Sequence, residues 1–268
     1  QTGYSTNALE SLNILRGKGV KVIGVTGNVK SDFKGAADLV VDYGLGIETV
    51  GYVTKGVTTF VAFMMMFAVE AGKRLKRVSA KKADAFYKNA KAIMAGYPKT
   101  IADTNAWIEK NMHDFSSMQT VYLCSIGSNY GTVVEGALKI SETVHIPAIP
   151  YEVEEVIHGP YLQMNPTYTI LFLDTDADYS ARVQQIYQGS KEVTNRAFLV
   201  SNKPPKGDGK ALGVMKSPNE LLNPLVYLPV VQTIAAKISS YLATKQHPLL
   251  AGFKKKAISK SANYVDND

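Results

Sequence analysis

The sequence predicts an α/β protein of two tandem parallel-sheet units joined by helices, and three observations carry that prediction. Short apolar strand-like runs alternate with helical runs in the first third, a strand-free helical stretch follows, and the same alternation then restarts. The chain has 268 residues, which suits two units better than one core, because single cores stop growing near ~250 residues. At 46% hydrophobic and 20% charged, the composition excludes a disordered chain and a collagen-like repeat.

Residues 5–16 put Ala8, Leu9, Leu12 and Leu15 on one helical face, with Ser5 as a cap and Gly17 and Gly19 ending the run. Residues 21–26 (KVIGVT) have the continuous apolar character of a parallel strand covered on both faces. Residues 39–41 form another short strand and residues 54–71 a long apolar helix. Its uncharged part, residues 56–69, is about six residues short of the ~20 needed to span a membrane, so a buried helix is expected there. Its stripe of Phe60, Phe63, Met64 and Phe67 suits core or a subunit interface. Residues 73–111 read as charged helices.

The second round begins with a strand at 121–126 (VYLCSI), a glycine-bracketed turn at 127–131 and a helix at 132–144. Strands at 168–174 and 197–201 flank a helix at 179–192, and a last helix follows Pro229. The expected organisation is a first unit at 1–75, a helical connector at 76–118, a second unit at 119–245 and a tail at 246–268. Ligands of open parallel sheets sit at the carboxyl ends of strands, so chemistry is expected in the loops that follow them.

The single cysteine, Cys124, excludes an intrachain disulfide and suits a reducing compartment, which makes the cytoplasm the expected location. A net charge of +7 would suit nucleic acid, an acidic partner or a phosphorylated metabolite. The basic cluster of Lys73, Arg74, Lys76, Arg77, Lys81 and Lys82 lacks interleaved aromatics and any reading motif, which points to a solvated helical face. No nucleic-acid or membrane partner is therefore expected.

Gln1-Thr2-Gly3-Tyr4-Ser5-Thr6-Asn7 places hydroxyls and a glycine ahead of a helix, which suits either an ordinary cap or a phosphate monoester site. Gly127-Ser128-Asn129-Tyr130-Gly131 lacks the Lys-Ser/Thr ending of a nucleotide loop. Glu135, Lys139 and Glu142 share one helical face, as either a salt-bridged surface or a reactive group. His158-Gly159-Pro160 sets a titratable ring before a rigid turn, suited to proton transfer near neutral pH. His113, His145, His158 and His247 lack metal-ligand spacing, and Asp174, Asp176 and Asp178 read as helix-capping acids.

Taken together, Glu135-Gly136-Ala137-Leu138-Lys139-Ile140-Ser141-Glu142 resembles the EGALKxxE helix of the sugar isomerase (SIS) family, and His158-Gly159-Pro160 its HGP turn, at the family's spacing. Gln1-Thr2-Gly3-Tyr4-Ser5-Thr6 is similar to its SxSGxT phosphate loop, beginning one residue late. Thr54-Lys55 keep the pattern ahead of the first unit's last helix. The resemblance covers essentially the whole chain, is strongest to the isomerase half of glucosamine-6-phosphate synthases and to fructosamine 6-phosphate deglycases, and implies a first unit without its opening strands and helix.

The resemblance implies two doubly wound α/β units, a homodimer or larger homo-oligomer with shared active sites, and a sugar 6-phosphate substrate. It implies that Gln1, Thr2, Ser5 and Thr54 hold the phosphate end. Glu142 would move a proton between C1 and C2, and His158 would act as acid, with no metal or organic cofactor. Glu135, His247 and Lys254 are further candidates for the site. Where the synthases read PRNLAK after the position of Pro248, this chain reads Leu249-Leu250-Ala251-Gly252-Phe253. The His247-Pro248-Leu249 ending is closer to the deglycase branch. The expected activity is a deglycase acting on a 6-phosphorylated fructosamine, with an aminotransferase or aldose–ketose isomerase as the second reading and a non-catalytic sugar-phosphate sensor as the third.

Overall fold

The computed structural model describes residues 1–175 and 178–264, so Asp176 lies outside the described residues. In chain order the elements are α1 (Thr6–Gly17), β1 (Ile23–Thr26), α2 (Phe33–Ala36), β2 (Leu39–Asp42), α3 (Lys55–Arg74), α4 (Ala80–Ala95), α5 (Tyr97–Lys110) and α6 (Met112–Ser116). There follow β3 (Thr120–Ser125), α7 (Tyr130–Thr143), β4 (Ala148–Glu152), β5 (Tyr168–Asp174), α8 (Ser180–Ser190), β6 (Ala197–Ser201), β7 (Ala211–Gly213), α9 (Asn223–Leu242) and α10 (Leu250–Ala257). The chain divides into two compact units, one of Gln1–Phe67 with Lys245–Asp268 and one of Ala68–Thr244.

In the first unit β1 and β2 pair in parallel, Ile23 opposite Leu39. The strands sit where the apolar runs place them, but they are not covered on both faces: Ile23 is 55% exposed and Leu39 54%. The helix expected to be buried also differs. In α3 only Gly56 is buried; Phe60 and Phe63 pack against the Tyr43 ring at 5.6 and 6.5 Å, but Phe60, Met64 and Phe67 remain exposed, so its apolar stripe is only partly covered in the single chain. After α10 the chain returns as a strap, Lys260 bridging Ser5 in antiparallel sense.

The second unit is built on a parallel sheet of order β4-β3-β5-β6-β7. Each right-handed crossover from one parallel strand to the next needs a connecting segment, and α7 and α8 serve β3 to β4 and β5 to β6. Alternation along β3 divides the two sides of the sheet. On one side α7 lies so close that a Cβ on Gly136 would stand 2.9 Å from Leu123 Cδ2 and 3.0 Å from Val231 Cβ of α9, which is why glycine occupies that position. On the other side Tyr122, Cys124, Ile170 and Phe172 form a buried cluster with Val153, Val156, Val183 and Tyr187. Burial raises the Cys124 thiol pKa well above its ordinary value, leaving it unreactive.

Two strands escaped the sequence pattern. β4 (AIPYE) contains Pro150 and has no fully buried residue, because it is an edge strand where a missing N–H is tolerated. β7 is three residues long. The last helix begins at Asn223 with a proline in its first turn and runs through Pro229 rather than starting after it.

Candidate active site

The densest ionisable group lies on α7. Glu135, Lys139 and Glu142 are one turn apart on a single stripe, and the helix holds them there by its 3.6-residue period. Lys139 is almost wholly buried, with 4% of its side chain exposed, and its ammonium pairs with the Glu142 carboxylate on one side and lies 3.6 Å from Glu135 Oε1 on the other. A solvated salt-bridged face would leave that lysine in water, whereas here its ammonium is enclosed between the two carboxylates. The sequence pattern shows Lys139 only as part of a charged face; the signal that could have found it is its position in line with the small residues Thr132 and Gly136, which α7 buries.

Burial raises the Glu135 carboxyl pKa above its usual value, against the attraction of Lys139, and among the described residues its Oε1 has no hydrogen-bond partner. A raised folded pKa gives a stability contribution that is full below the ordinary carboxylate value and is lost as pH rises through the folded one. Glu135→Gln, which stays neutral, should therefore lose less unfolding free energy than the wild type as pH rises from the ordinary carboxylate value, about 4, through the raised folded one. Urea unfolding across that range reads the difference, and parallel curves would contradict it.

His158 sits on the other side of the sheet. It ends a 3-10 turn, Glu155–His158, and Gly159 follows with φ 152°, a conformation left to glycine. Pro160 is held from below by the sheet, since the Tyr122 hydroxyl donates to its carbonyl at 3.3 Å. Val153 and Val156 from the same segment pack in the cluster beneath Tyr122 and Cys124. Glu154, one turn before His158, takes a two-pronged bond from Arg182, Nε to Oε1 at 2.7 Å and a terminal nitrogen to Oε2 at 3.1 Å, and this pair holds its carboxyl below the usual range. Among the described residues no hydrogen bond or ion pair joins His158 to Glu142.

The segment similar to a phosphate loop wraps the end of β1. The Gln1 carbonyl accepts from the Thr26 hydroxyl at 2.7 Å and from the Gly27 N–H at 2.9 Å; Gly3 turns with φ 76°, and the buried Ser31 hydroxyl, without a partner among the described residues, occupies the space a Cβ there would take. Ser5 precedes α1 but makes no cap bond with its side chain. Thr2 Oγ1 accepts from the Tyr4 N–H at 3.4 Å. The Glu48 carboxylate accepts the N–H groups of Thr54, Lys55 and Gly56 at 2.9, 2.6 and 3.1 Å and also takes the Gln1 amide at 2.8 Å. An internal anion thus fills the helix N-terminus beside Thr54. His247 is exposed and its Nδ1 accepts from Leu249 N–H in a local turn, while Lys254 lies on the exposed face of α10.

The second unit has the crevice that open parallel sheets present at the carboxyl ends of their strands. Its strand order reverses between β3 and β5, and there the protein's own groups fill the crevice. Ser125 Oγ donates to the Leu173 carbonyl at 2.8 Å. Asp174, fully buried, accepts from Ser180, Gln184 and Ser201, each at 2.9 Å, and the Tyr227 hydroxyl donates to its carbonyl. The ionisable cluster is instead on the flank of α7.

No family model matches the chain. It is similar to the glutamine–fructose-6-phosphate aminotransferases (isomerizing) of Bartonella quintana, at 25% identity over 256 residues covering 91% of this chain and 41% of that one, and of Haemophilus influenzae, at 24% over 246 residues covering 90% and 39%. The chain thus spans about two fifths of the length of these curated relatives. Among solved structures it matches a candidate phosphosugar isomerase from Clostridium difficile 630 with a TM-score of 0.89 at 22% identity, covering 98% of this chain and 74% of that one. It also matches the C-terminal domain of the glucosamine-fructose-6-phosphate aminotransferase from Francisella tularensis, with a TM-score of 0.79 at 19% identity over 91% and 70% of the two chains. These likenesses establish the parallel-sheet α/β fold.

Proposed function

Because the chain resembles the sugar isomerase (SIS) family in sequence and in fold, we propose that it is a phosphosugar enzyme that moves a proton between C1 and C2 of an open-chain sugar 6-phosphate. The observation that carries this reading is the Glu135–Lys139–Glu142 line on α7, with Lys139 buried between the two carboxylates. Enolisation beside a carbonyl needs a carboxylate over the carbon and an acid at the heteroatom, each contributing about 10²- to 10⁴-fold. Glu142 is the carboxylate, 27% exposed and steadied by Lys139; His158 is the acid.

The finer proposal is a deglycase. Its substrate is a 6-phosphorylated fructosamine, which carries the amine on C1 beside the C2 carbonyl. Glu142 takes a C1 proton to give the enaminol and returns a proton to C2. The resulting C1 aldimine is hydrolysed by water to hexose 6-phosphate and free amine, with His158 supplying the acid. The tail after Pro248 supports this branch, because it departs from the synthase pattern. The aminotransferase reading is favoured by one observation, the curated relatives themselves.

A second part of the proposal concerns assembly. The sheet lies between α7, which carries Glu142, and the segment that carries His158. A site that uses both is most simply completed by two copies of the chain, the carboxylate from one and the imidazole from the other.

Purified protein offered a panel of fructosamine 6-phosphates should release amine and hexose 6-phosphate in equal amounts. Formation of glucosamine 6-phosphate from fructose 6-phosphate and ammonia, with no amine released from the panel, would transfer the proposal to the aminotransferase reading.

A further inference from the structure

The C-terminal strap reaches the segment similar to a phosphate loop. Lys260 and Ser5 face each other in an antiparallel bridge, Ser261 N–H donates to the Tyr4 carbonyl at 2.9 Å, and the Thr6 hydroxyl donates to the Ser259 carbonyl at 3.3 Å. Further along, Asn263 Nδ2 donates to Asp32 Oδ1 at 3.0 Å, and the Tyr4 and Tyr264 rings lie 5.7 Å apart. These contacts fix the strap on both sides of one lysine.

Lys260 is unlike the other basic residues of the tail. Lys254, Lys255 and Lys256 project from α10, whereas the Lys260 ammonium is 3.1 Å from Ser5 Oγ and 5.5 Å from the Tyr264 ring centre. Among the described residues it pairs with no carboxylate. Ser5 accepts from Lys260 and makes no cap bond, so its hydroxyl hydrogen is available to an acceptor. α1 begins at the next residue, Thr6, and the first N–H groups of an α-helix lack intrahelical partners, although that of Ala8 is taken by Asn7 Oδ1. The buried, unpartnered Ser31 hydroxyl lies directly behind Gly3 of the same loop. A cation with no carboxylate partner among the described residues, a hydroxyl with a hydrogen to donate and a helix start thus converge on one place.

We infer that Lys260 is a binding residue for the 6-phosphate of the substrate, carried to the loop by the strap and holding the phosphate together with Ser5. This rests on the phosphate-loop reading of the proposed function and adds a residue to it. An ammonium is a point charge and confers affinity for the dianion without setting which sugar is bound.

Calorimetric titration of the wild type, Lys260→Met and Lys260→Arg with fructose 6-phosphate and with inorganic phosphate tests the inference. Loss of one charge-assisted contact should weaken both ligands about 10- to 100-fold in Lys260→Met, while Lys260→Arg stays within a few-fold of the wild type. Equal binding by the wild type and Lys260→Met would overturn the role of Lys260 and leave the loop intact. Binding of neither ligand by the wild type would overturn the phosphate-loop reading and this inference together. Thermal unfolding of Lys260→Met should match the wild type, since the side chain is exposed; a large fall with unchanged affinity would mark the residue as a structural clasp and contradict the inference.

Discussion

Glu142→Gln should lower the rate of amine release by about 10²- to 10⁴-fold while leaving substrate affinity within a few-fold of the wild type. The substitution keeps the shape of the side chain and its place beside Lys139, but an amide takes no proton from carbon. His158→Ala should also reduce turnover, through loss of the acid at the departing heteroatom. Steady-state amine release reads both, and a Glu142→Gln protein that turned over at the wild-type rate would remove Glu142 from the reaction.

Lys139→Met should destabilise the protein by about 3–5 kcal/mol, the usual consequence of removing one partner from a buried charge cluster. The methionine fills much of the same volume, so the loss is electrostatic: Glu135, already raised by burial, and Glu142 would face each other with no cation between them. Adding Glu135→Gln to Lys139→Met should recover part of the loss by removing one of the two uncompensated carboxylates. Urea unfolding at pH 7 reads both effects. Equal stability of wild type and Lys139→Met would show that the ammonium does not neutralise the pair.

Much of the second unit was legible because its apolar residues are committed to one environment. β5 and β6 are buried almost throughout and read as unbroken apolar runs, and the structure places them at the expected residues. β4 was not legible, since an edge strand is half exposed and admits a proline. The burial expected of α3 failed for a different reason: periodicity shows that a face is apolar and does not show what covers it, and in the single chain the cover is partial, with Phe60, Met64 and Phe67 left exposed.

The candidate site divides along similar lines. Local spacing on α7 found Glu135 and Glu142, because helical geometry fixes neighbours within a turn. It could not tell that Lys139 is buried, which depends on how closely Gly136 lets the helix approach Leu123 and Val231. Nor could it tell that Glu48, six residues before Thr54, would cap α3, or that Lys260 rather than Lys254 would reach Ser5. Those contacts join residues far apart in the chain or folded through loops, where no period operates.

The central claim is that Glu142 and His158 meet in a site completed by two copies of the chain. It is tested by mixing Glu142→Gln and His158→Ala proteins, each nearly inactive alone, under conditions that allow subunits to exchange. Random pairing in a dimer gives half mixed pairs, each with one intact site of two, so about a quarter of wild-type amine release should return. A mixture no more active than either variant alone would contradict it.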